Sequence, residues 1–415
     1  MPKPITVGLS PNTESDDAGL ALKLLFNPKK WLYGNATAHL EEEFRKYLPA
    51  KHAWALRSAR AALQIALSAL ELKQGDEVIT QSYTCTAVPN AILATGGTPV
   101  YADIDENNFN ISVQDLEKKI NNRTRAIIVQ HTFGIPAQMD KILEIAREHR
   151  IPIIEDCAHA LGAEYQGKKL GTFGDMAIFS FGRDKVISSV FGGMITTNSG
   201  ELSAKINTLT APLKLPSRIW TIRQLLHPVL FYYLILPTYN IWIGKAVLEI
   251  VKRLGLISKA VQSEERRGKV ARDTFGKIPN TLAELALHQF KKLERFNLHR
   301  RKLAEIYRKE LSKVSNIKLP EPTAEANSIY LRYTIRIPIA KRLIKKGRKL
   351  GIILDDWYNP CIAPKGVDFT AVKYNPGACP IAERAASESL NLPTNILTSE
   401  EDALKITKII KDKML

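Results

Sequence analysis

Two residues in the middle of the chain have the types and the spacing for chemistry. Asp156 closes the apolar run IPIIEDC (151–157), and Lys185 follows a second apolar run, MAIFSF (176–181), twenty-nine positions further on. Open α/β sheets place ligand-touching side chains at strand ends of this kind. A buried carboxylate is costly without a cation beside it. A protonated pyridine nitrogen would supply that cation, and a lysine on another strand end would reach the other side of the same flat ring. That is the arrangement pyridoxal phosphate requires, with the lysine condensed onto its aldehyde and the aspartate on its ring nitrogen. The spacing equally allows Asp156 to cap a turn and Lys185 to be a solvated loop charge.

Residues 50–200 contain the elements that must position such a pair. Short β-rich runs, DEVITQ (76–81), TPVYADI (98–104), RAIIVQ (125–130), IPIIEDC, MAIFSF and GGMITT (192–197), alternate with helical patterns. The helical patterns are ARAALQIALSALEL (59–72), ISVQDLEKKI (111–120) and MDKILEIAREH (139–149). Alternation of this kind implies crossover connections and a mostly parallel sheet with helices on both faces. From about 280 the pattern changes to a long helical run (282–311), a strand YLRYTIRIPI (330–339), a helix around 340–350 and a final helix (398–415). The expectation is an α/β large domain over 1–275 and a smaller α+β domain over 276–415. Gly192 and Gly193 lack the spacing of a dinucleotide fingerprint and read as a turn requirement.

Residues 212–268 interrupt this plan. The segment HPVLFYYLILPTYNIWIGKAVLEIVKRLGLI (227–257) is the most apolar part of the chain. Pro228 and Pro237 are expected to cut it to an eight-residue apolar run, too short for a bilayer that needs about 20 residues. Over 212–273 there are eleven Lys and Arg against four Asp and Glu. Apolar aromatics beside cations fit either a helix lying in a membrane interface at about 217–257 or a helical insertion packed on the core or a partner.

The whole chain has 415 residues, a formal charge of +17 and 45% hydrophobic residues. This is a soluble composition with room for a sizeable core. The charge admits an acidic partner: a nucleotide, a nucleic acid or an anionic membrane. Cys85, Cys157, Cys361 and Cys379 form no CxxC or CxxH pair, so neither a disulfide framework nor a metal site is expected. The first residues, MPKPITVGLSPNTESDD, have no apolar core behind a basic start, which is not the pattern of a signal peptide. A cytoplasmic setting is expected.

Beyond the pair, ordered matches extend along the chain: GNATAHLEEEFRKYL (34–48), GDEVIT (75–80), GGTPVYADID (96–105) and VQHTFGIPAQMDKI (129–142). They continue with IEDCAHALGAEYQGKKLGTFGDMAIFSF (154–181), Lys185 with GGM (192–194), and CPIAERAASESLNLPT (379–394). With these the chain resembles the DegT/DnrJ/EryC1/StrS family of pyridoxal-phosphate sugar aminotransferases, in the fold-type-I superfamily. The resemblance implies an aspartate-aminotransferase-like large domain and a homodimer. It implies that Lys185 carries the cofactor and then moves protons, and that Asp156 faces the ring nitrogen. His159, where the family usually has Gln, would stand near the ring's phenolic oxygen, and Ser180 would donate to the phosphate.

Three departures from the family pattern stand out. Ser58-Ala59-Arg60-Ala61-Ala62 replaces S-G-T-A-A and opens a helix whose free N–H groups suit a phosphate. Cys85, in SYTCTAV, stands where an aromatic usually stacks on the ring, which leaves Tyr83 or a neighbour to contribute. The G-x-N-x-R motif, thought to reach the partner subunit's phosphate, is absent from DTFGKIPN (273–280), where Lys277 holds roughly the Arg position. Arg60 is expected to replace that contact. His131 and the Arg266-Arg267 pair are lesser candidates for substrate contact, and Arg183 is placed either against Asp184 or near the phosphate.

The reading that follows is transamination from an amino acid, glutamate by resemblance, to a nucleotide-linked keto-sugar. The partners expected are these two small molecules, not a nucleic acid. Sugar dehydration by relatives that carry His in place of the lysine is the alternative within the chemistry, and Lys185 argues against it. A cofactor-binding regulatory or membrane-surface protein without turnover is the alternative outside it. The loop DDWYNPCIAPKG (355–366) is expected to help select the sugar.

Overall fold

The computed structural model describes residues 3–258 and 261–414, so Lys259 and Ala260 of the expected insertion lie outside the described residues. The strand and helix alternation builds one seven-stranded sheet. Its strands are β1 (His52–Leu56), β2 (Glu77–Gln81), β3 (Thr98–Ala102), β4 (Thr124–Gln130), β5 (Ile153–Asp156), β6 (Met176–Ser180) and β7 (Gly193–Thr197), in the order β1-β7-β6-β5-β4-β2-β3. All neighbours are parallel except β7, which runs against both β6 and β1.

The strands are apolar on both faces, and successive residues feed two different cores. Ile127, Val129, Ile153, Ala177 and Phe179 pack on one side with helices α1 (Ala36–Tyr47) and α3 (Met139–Glu148). On the other side Ala126, Ile128, Ile154, Met176 and Ile178 pack with α2 (Ala59–Ala69). This period of two fixes the register, because a slip of one residue would exchange the two faces. It also fixes which strand ends carry Asp156 and Ser180.

The insertion is helical. Helix α4 (Arg218–Leu230) is capped by Ser217, whose hydroxyl accepts from the Trp220 N–H at 3.1 Å. Contrary to the sequence expectation, neither proline cuts the segment: a helical rod runs over Arg218–Ile241, 24 residues. Pro228 lies inside α4, and the wider turn Phe231–Ile235 that follows absorbs the irregularity. Pro237 falls in the first turn of the next helical piece, where no N–H is required. The rod is long and apolar enough to cross a bilayer by length and composition, but 44% of its most apolar window is buried against the protein. Phe231, Ile235 and Leu236 pack there with Leu248 and Val251 of α5 (Ile243–Arg253).

The long helical pattern of 282–311 is two helices, α6 (Asn280–Phe290) and α7 (Leu293–Leu311), broken at Lys291–Lys292. Residues Leu282, Ala283 and Ala286 of α6 join the core of the large sheet. A third core gathers Leu303 and Tyr307 of α7 around β8 (Arg332–Arg336), which pairs antiparallel with β9 (Ser389–Pro393). Helices α8 (Ala340–Lys349) and α9 (Glu400–Met414) cover it. Ile5 also belongs to this core, because Ile5–Thr6 runs parallel to Ile352–Ile353.

Candidate active site

The carboxyl ends of β5 and β6, the β6–β7 loop and the start of α2 surround one cavity of about 320 Å³. Ser58, Ala59, Arg60, Cys85, Asp156, His159, Ser180 and Lys185, the residues singled out from the sequence, all line it.

The Lys185 loop is held from behind. The Asn12 amide donates to the Lys185 and Val186 carbonyls at 2.5 and 3.1 Å. Arg300 of α7, 1% exposed, donates to the Val186 carbonyl at 2.8 Å and to the Asn12 amide oxygen at 3.1 Å. Neither residue carried a signal in the sequence, since each acts through a partner far along the chain.

Lys185 Nζ lies 2.8 Å from His159 Nε2. The other ring nitrogen, Nδ1, accepts the Phe133 N–H at 3.3 Å, and the ring is stacked on Phe133 with an interplanar angle of 6°. An acceptor at Nδ1 puts the proton of a neutral imidazole on Nε2. Nε2–H then donates to Lys185, which must offer a lone pair as a neutral amine. Electrostatics agree. Burial, helped by the positive charge of Arg332, holds His159 well below the ordinary histidine range. Burial also lowers the Lys185 ammonium, with Asp184 pulling the other way. If His159 keeps the amine neutral, His159→Ala shifts the rising limb of the pH–rate profile to higher pH, by up to about one unit for one lost hydrogen bond. His159→Gln, which restores a donor, shifts it less. Steady-state rates against pH measure both.

Asp156 is 6% exposed. One carboxylate oxygen accepts the Ala158 N–H at 3.0 Å. Burial raises its pKa above the ordinary aspartate value, opposed by that N–H and by Lys185 and His131. Among the described residues no cation is hydrogen-bonded to it, so the site has a carboxylate suited to a cationic ligand.

At the other end, Ser58 caps α2: its hydroxyl accepts the Ala61 N–H at 3.1 Å and donates to the Thr274 carbonyl at 2.7 Å. Gly193 permits this approach. A Cβ there would stand 2.4 Å from the Ala59 nitrogen, so the need is close packing of β7 on the start of α2 rather than the expected turn. Arg60 Nε pairs with buried Glu265 at 2.8 Å. Ser180 Oγ accepts the Gly182 N–H at 3.3 Å. Arg183 donates to the Ser258 carbonyl and lies 5.5 Å from the centre of the Phe191 ring, and burial pushes its pKa down to about 10. Asp184 is bound by Arg332 at 2.6 Å instead. Arg332 also reaches Asp355 at 3.1 Å.

Arg332, Asp355, Trp357 and Tyr358 bring the C-terminal region into the cavity wall. Only the loop at 355–366 was anticipated from the sequence. Tyr83 is fully buried, its hydroxyl 2.6 Å from Ser389 Oγ, and is not among the lining residues. His131 is likewise engaged in the interior, with Nε2 3.2 Å from Glu155 and Nδ1 accepting the Ala137 N–H. Lys277 donates to the Ala211 carbonyl at 3.4 Å.

Comparison with known proteins matches this arrangement to a family. The model of the DegT/DnrJ/EryC1/StrS aminotransferase family fits residues 13–216 and 247–411, leaving the whole rod Arg218–Ile241 outside the pattern. GDP-perosamine synthase of Caulobacter vibrioides is 43% identical over 185 residues, 45% of this chain and 50% of that one. The pleiotropic regulatory protein of Geobacillus stearothermophilus is 30% identical over 367 residues, 88% of this chain and 85% of that one. The X-ray structure of S. venezuelae DesV is similar with a TM-score of 0.74 at 26% identity, covering 96% of this chain and 94% of that one. The chain spans about half the length of the first curated relatives it matches. Its α/β fold with a mostly parallel sheet is the one expected from the sequence. The family match covers most of the chain, which therefore belongs to the DegT/DnrJ/EryC1/StrS aminotransferase family.

Proposed function

We propose that the chain is a pyridoxal-phosphate-dependent aminotransferase that moves an amino group from an amino acid, glutamate, to a keto-sugar carried on a nucleotide. The observation that carries this reading is the convergence of Lys185, hydrogen-bonded to His159, and the buried carboxylate of Asp156 in one cavity. The residues fit the cofactor. Asp156 would hold a pyridinium nitrogen, and the start of α2 with Ser180 would hold the phosphate. The amine of Lys185 lines the same cavity. When bound, pyridoxal phosphate supplies the aldehyde that takes up the amino group and a ring that accepts the electron pair left on the substrate carbon.

The chain's own part is positioning and proton movement. Lys185 Nζ would take a proton from the substrate Cα and hand it on to the former aldehyde carbon, which needs the neutral amine that burial and His159 favour. Trp357 and Tyr358 close the cavity wall and limit water. A nucleotide-linked acceptor agrees with the chain's positive charge and with the nucleotide sugar in the name of the Caulobacter relative. The setting is cytoplasmic, the assembly is a homodimer, and the 217–257 segment makes a peripheral contact with a membrane. The test is mass spectrometry after incubation with glutamate and a panel of nucleotide keto-sugars. An aminated sugar supports the reading, and no transfer to any sugar speaks against it.

The name of the Geobacillus relative favours a second reading, a regulatory protein that binds cofactor without turnover. Cofactor binding with no 2-oxoglutarate released from glutamate would select it.

Arg60 also belongs to the phosphate end of the site. Glu265 balances its charge without moving it from the cavity wall. Arg60→Ala, compared in a Glu265→Gln background so that no buried carboxylate is left unpaired, weakens cofactor affinity by about 10- to 100-fold, the value of a hydrogen bond to a charged group. Equilibrium titration with pyridoxal phosphate measures this, and unchanged affinity would remove Arg60 from the phosphate site.

A further inference from the structure

Helix α5 has more apolar surface than its packing uses. Gly244, Leu248 and Val251 face the interior, while Ile243, Ala246, Ile250 and Leu254 form a second stripe at helical spacing that is open to solvent. Ile250 is 54% exposed and Leu254 65%. At the head of the helix Trp242 is 74% exposed, with Ile241 beside it. Lys245 Nζ sits 4.3 Å from the Trp242 ring centre, so a cation rims the apolar tip.

A segment a hundred residues away adds to this tip. Helix α8, AKRLIKKGRK, holds six Lys and Arg and no acid. Lys341, Arg342, Lys345, Arg348 and Lys349 are exposed, and none forms a salt bridge with a carboxylate among the described residues. The C-terminal end of α8 abuts the tip: a Cβ on Gly351 would lie 3.2 Å from the Asn240 side chain. Leu350, 47% exposed, extends the apolar surface across that junction.

We infer that the tip at Asn240–Ile243, the open stripe of α5 and the basic helix α8 form one docking surface for a membrane rich in anionic lipid. Trp242, Ile250 and Leu254 seat in the acyl boundary while the cations of α8 lie among the headgroups. The inference rests on the peripheral contact proposed above, gives it a lipid chemistry and adds α8 to it. It does not depend on the transamination reading. Charge decides the occupant. A second copy on a twofold axis would set the same patch against itself, cations against cations. A nucleic acid would leave Trp242 and the apolar stripe in water.

The experiment is flotation of the full, cofactor-loaded protein with vesicles of phosphatidylcholine alone or mixed with phosphatidylglycerol. The expected result is flotation with the anionic vesicles only, lost as salt shortens the screening length from about 10 Å at 0.1 M. The triple variant Lys345→Glu, Arg348→Glu, Lys349→Glu lowers the partition by at least about 100-fold, at roughly fivefold per cation. Trp242→Asp lowers it independently. Thermal melting checks that each variant is folded. Absence of flotation overturns the proposal, as does flotation that both variants retain. A change in oligomeric mass of Trp242→Asp with no loss of flotation also overturns it and makes the tip a subunit contact.

Discussion

Replacement of Lys185 by alanine removes turnover, with kcat falling by about 10⁴, the upper end of what a positioned acid–base group supplies. The cause is local. Lys185 is the amine in the cavity that burial lowers and that accepts from His159. Asn12 and Arg300 hold the loop behind it from its backbone, so the side chain can be removed without loosening that anchor. Melting temperature should therefore change little. Lys185→Arg should not rescue the rate, because a guanidinium stays protonated and cannot take a proton from carbon. Borohydride reduction separates this from a loss of binding. It fixes the cofactor covalently to the wild-type peptide containing Lys185 and leaves it removable from the alanine variant.

Asp156→Asn is expected to lower kcat/KM by about 150- to 5,000-fold. The amide keeps the shape and loses the charge, and breaking a buried ion pair costs about 3–5 kcal/mol. The cofactor-free protein should respond in the opposite sense. The folded pKa of Asp156 is raised, chiefly by burial. A raised carboxyl pKa contributes stability below the unfolded value, and that contribution is lost as pH rises through the folded value. At neutral pH the asparagine variant without cofactor therefore melts at or above the wild type. The difference closes in acid below pH about 4, where the carboxyl is protonated in both states. With cofactor bound, the wild type melts higher. This reversal between the two forms distinguishes a cofactor-binding carboxylate from a turn cap.

The large sheet was legible because its strands are continuous apolar runs separated by helical periods, and the two-residue alternation assigns each face. Asp156, Ser180 and Lys185 could be located for the same reason, at or just beyond the ends of two such runs. The rest of the cavity wall was harder to read. Arg332, Asp355, Trp357 and Tyr358 come from a strand and loop whose local patterns say nothing of a cavity formed with the large sheet. The pairing of Ile5–Thr6 with Ile352–Ile353 involves two residues on each side, too few to leave a periodic signal. Tyr83 could cover a ring on sequence order alone, but its hydroxyl has a buried partner in Ser389. The prolines of the insertion misled because a proline breaks a helix only where its N–H or its ring position matters. Pro237 sits where neither does, and the wide turn after Pro228 restores the path.

One half-reaction separates an aminotransferase from a protein that only binds the cofactor. The protein loaded with pyridoxal phosphate is mixed with glutamate and no sugar, and the 2-oxoglutarate formed is measured. The expected result is release stoichiometric with the chain and then arrest until a keto-sugar is added, with no release from Lys185→Ala. Absence of 2-oxoglutarate from the wild type, or equal release from the variant, would contradict it.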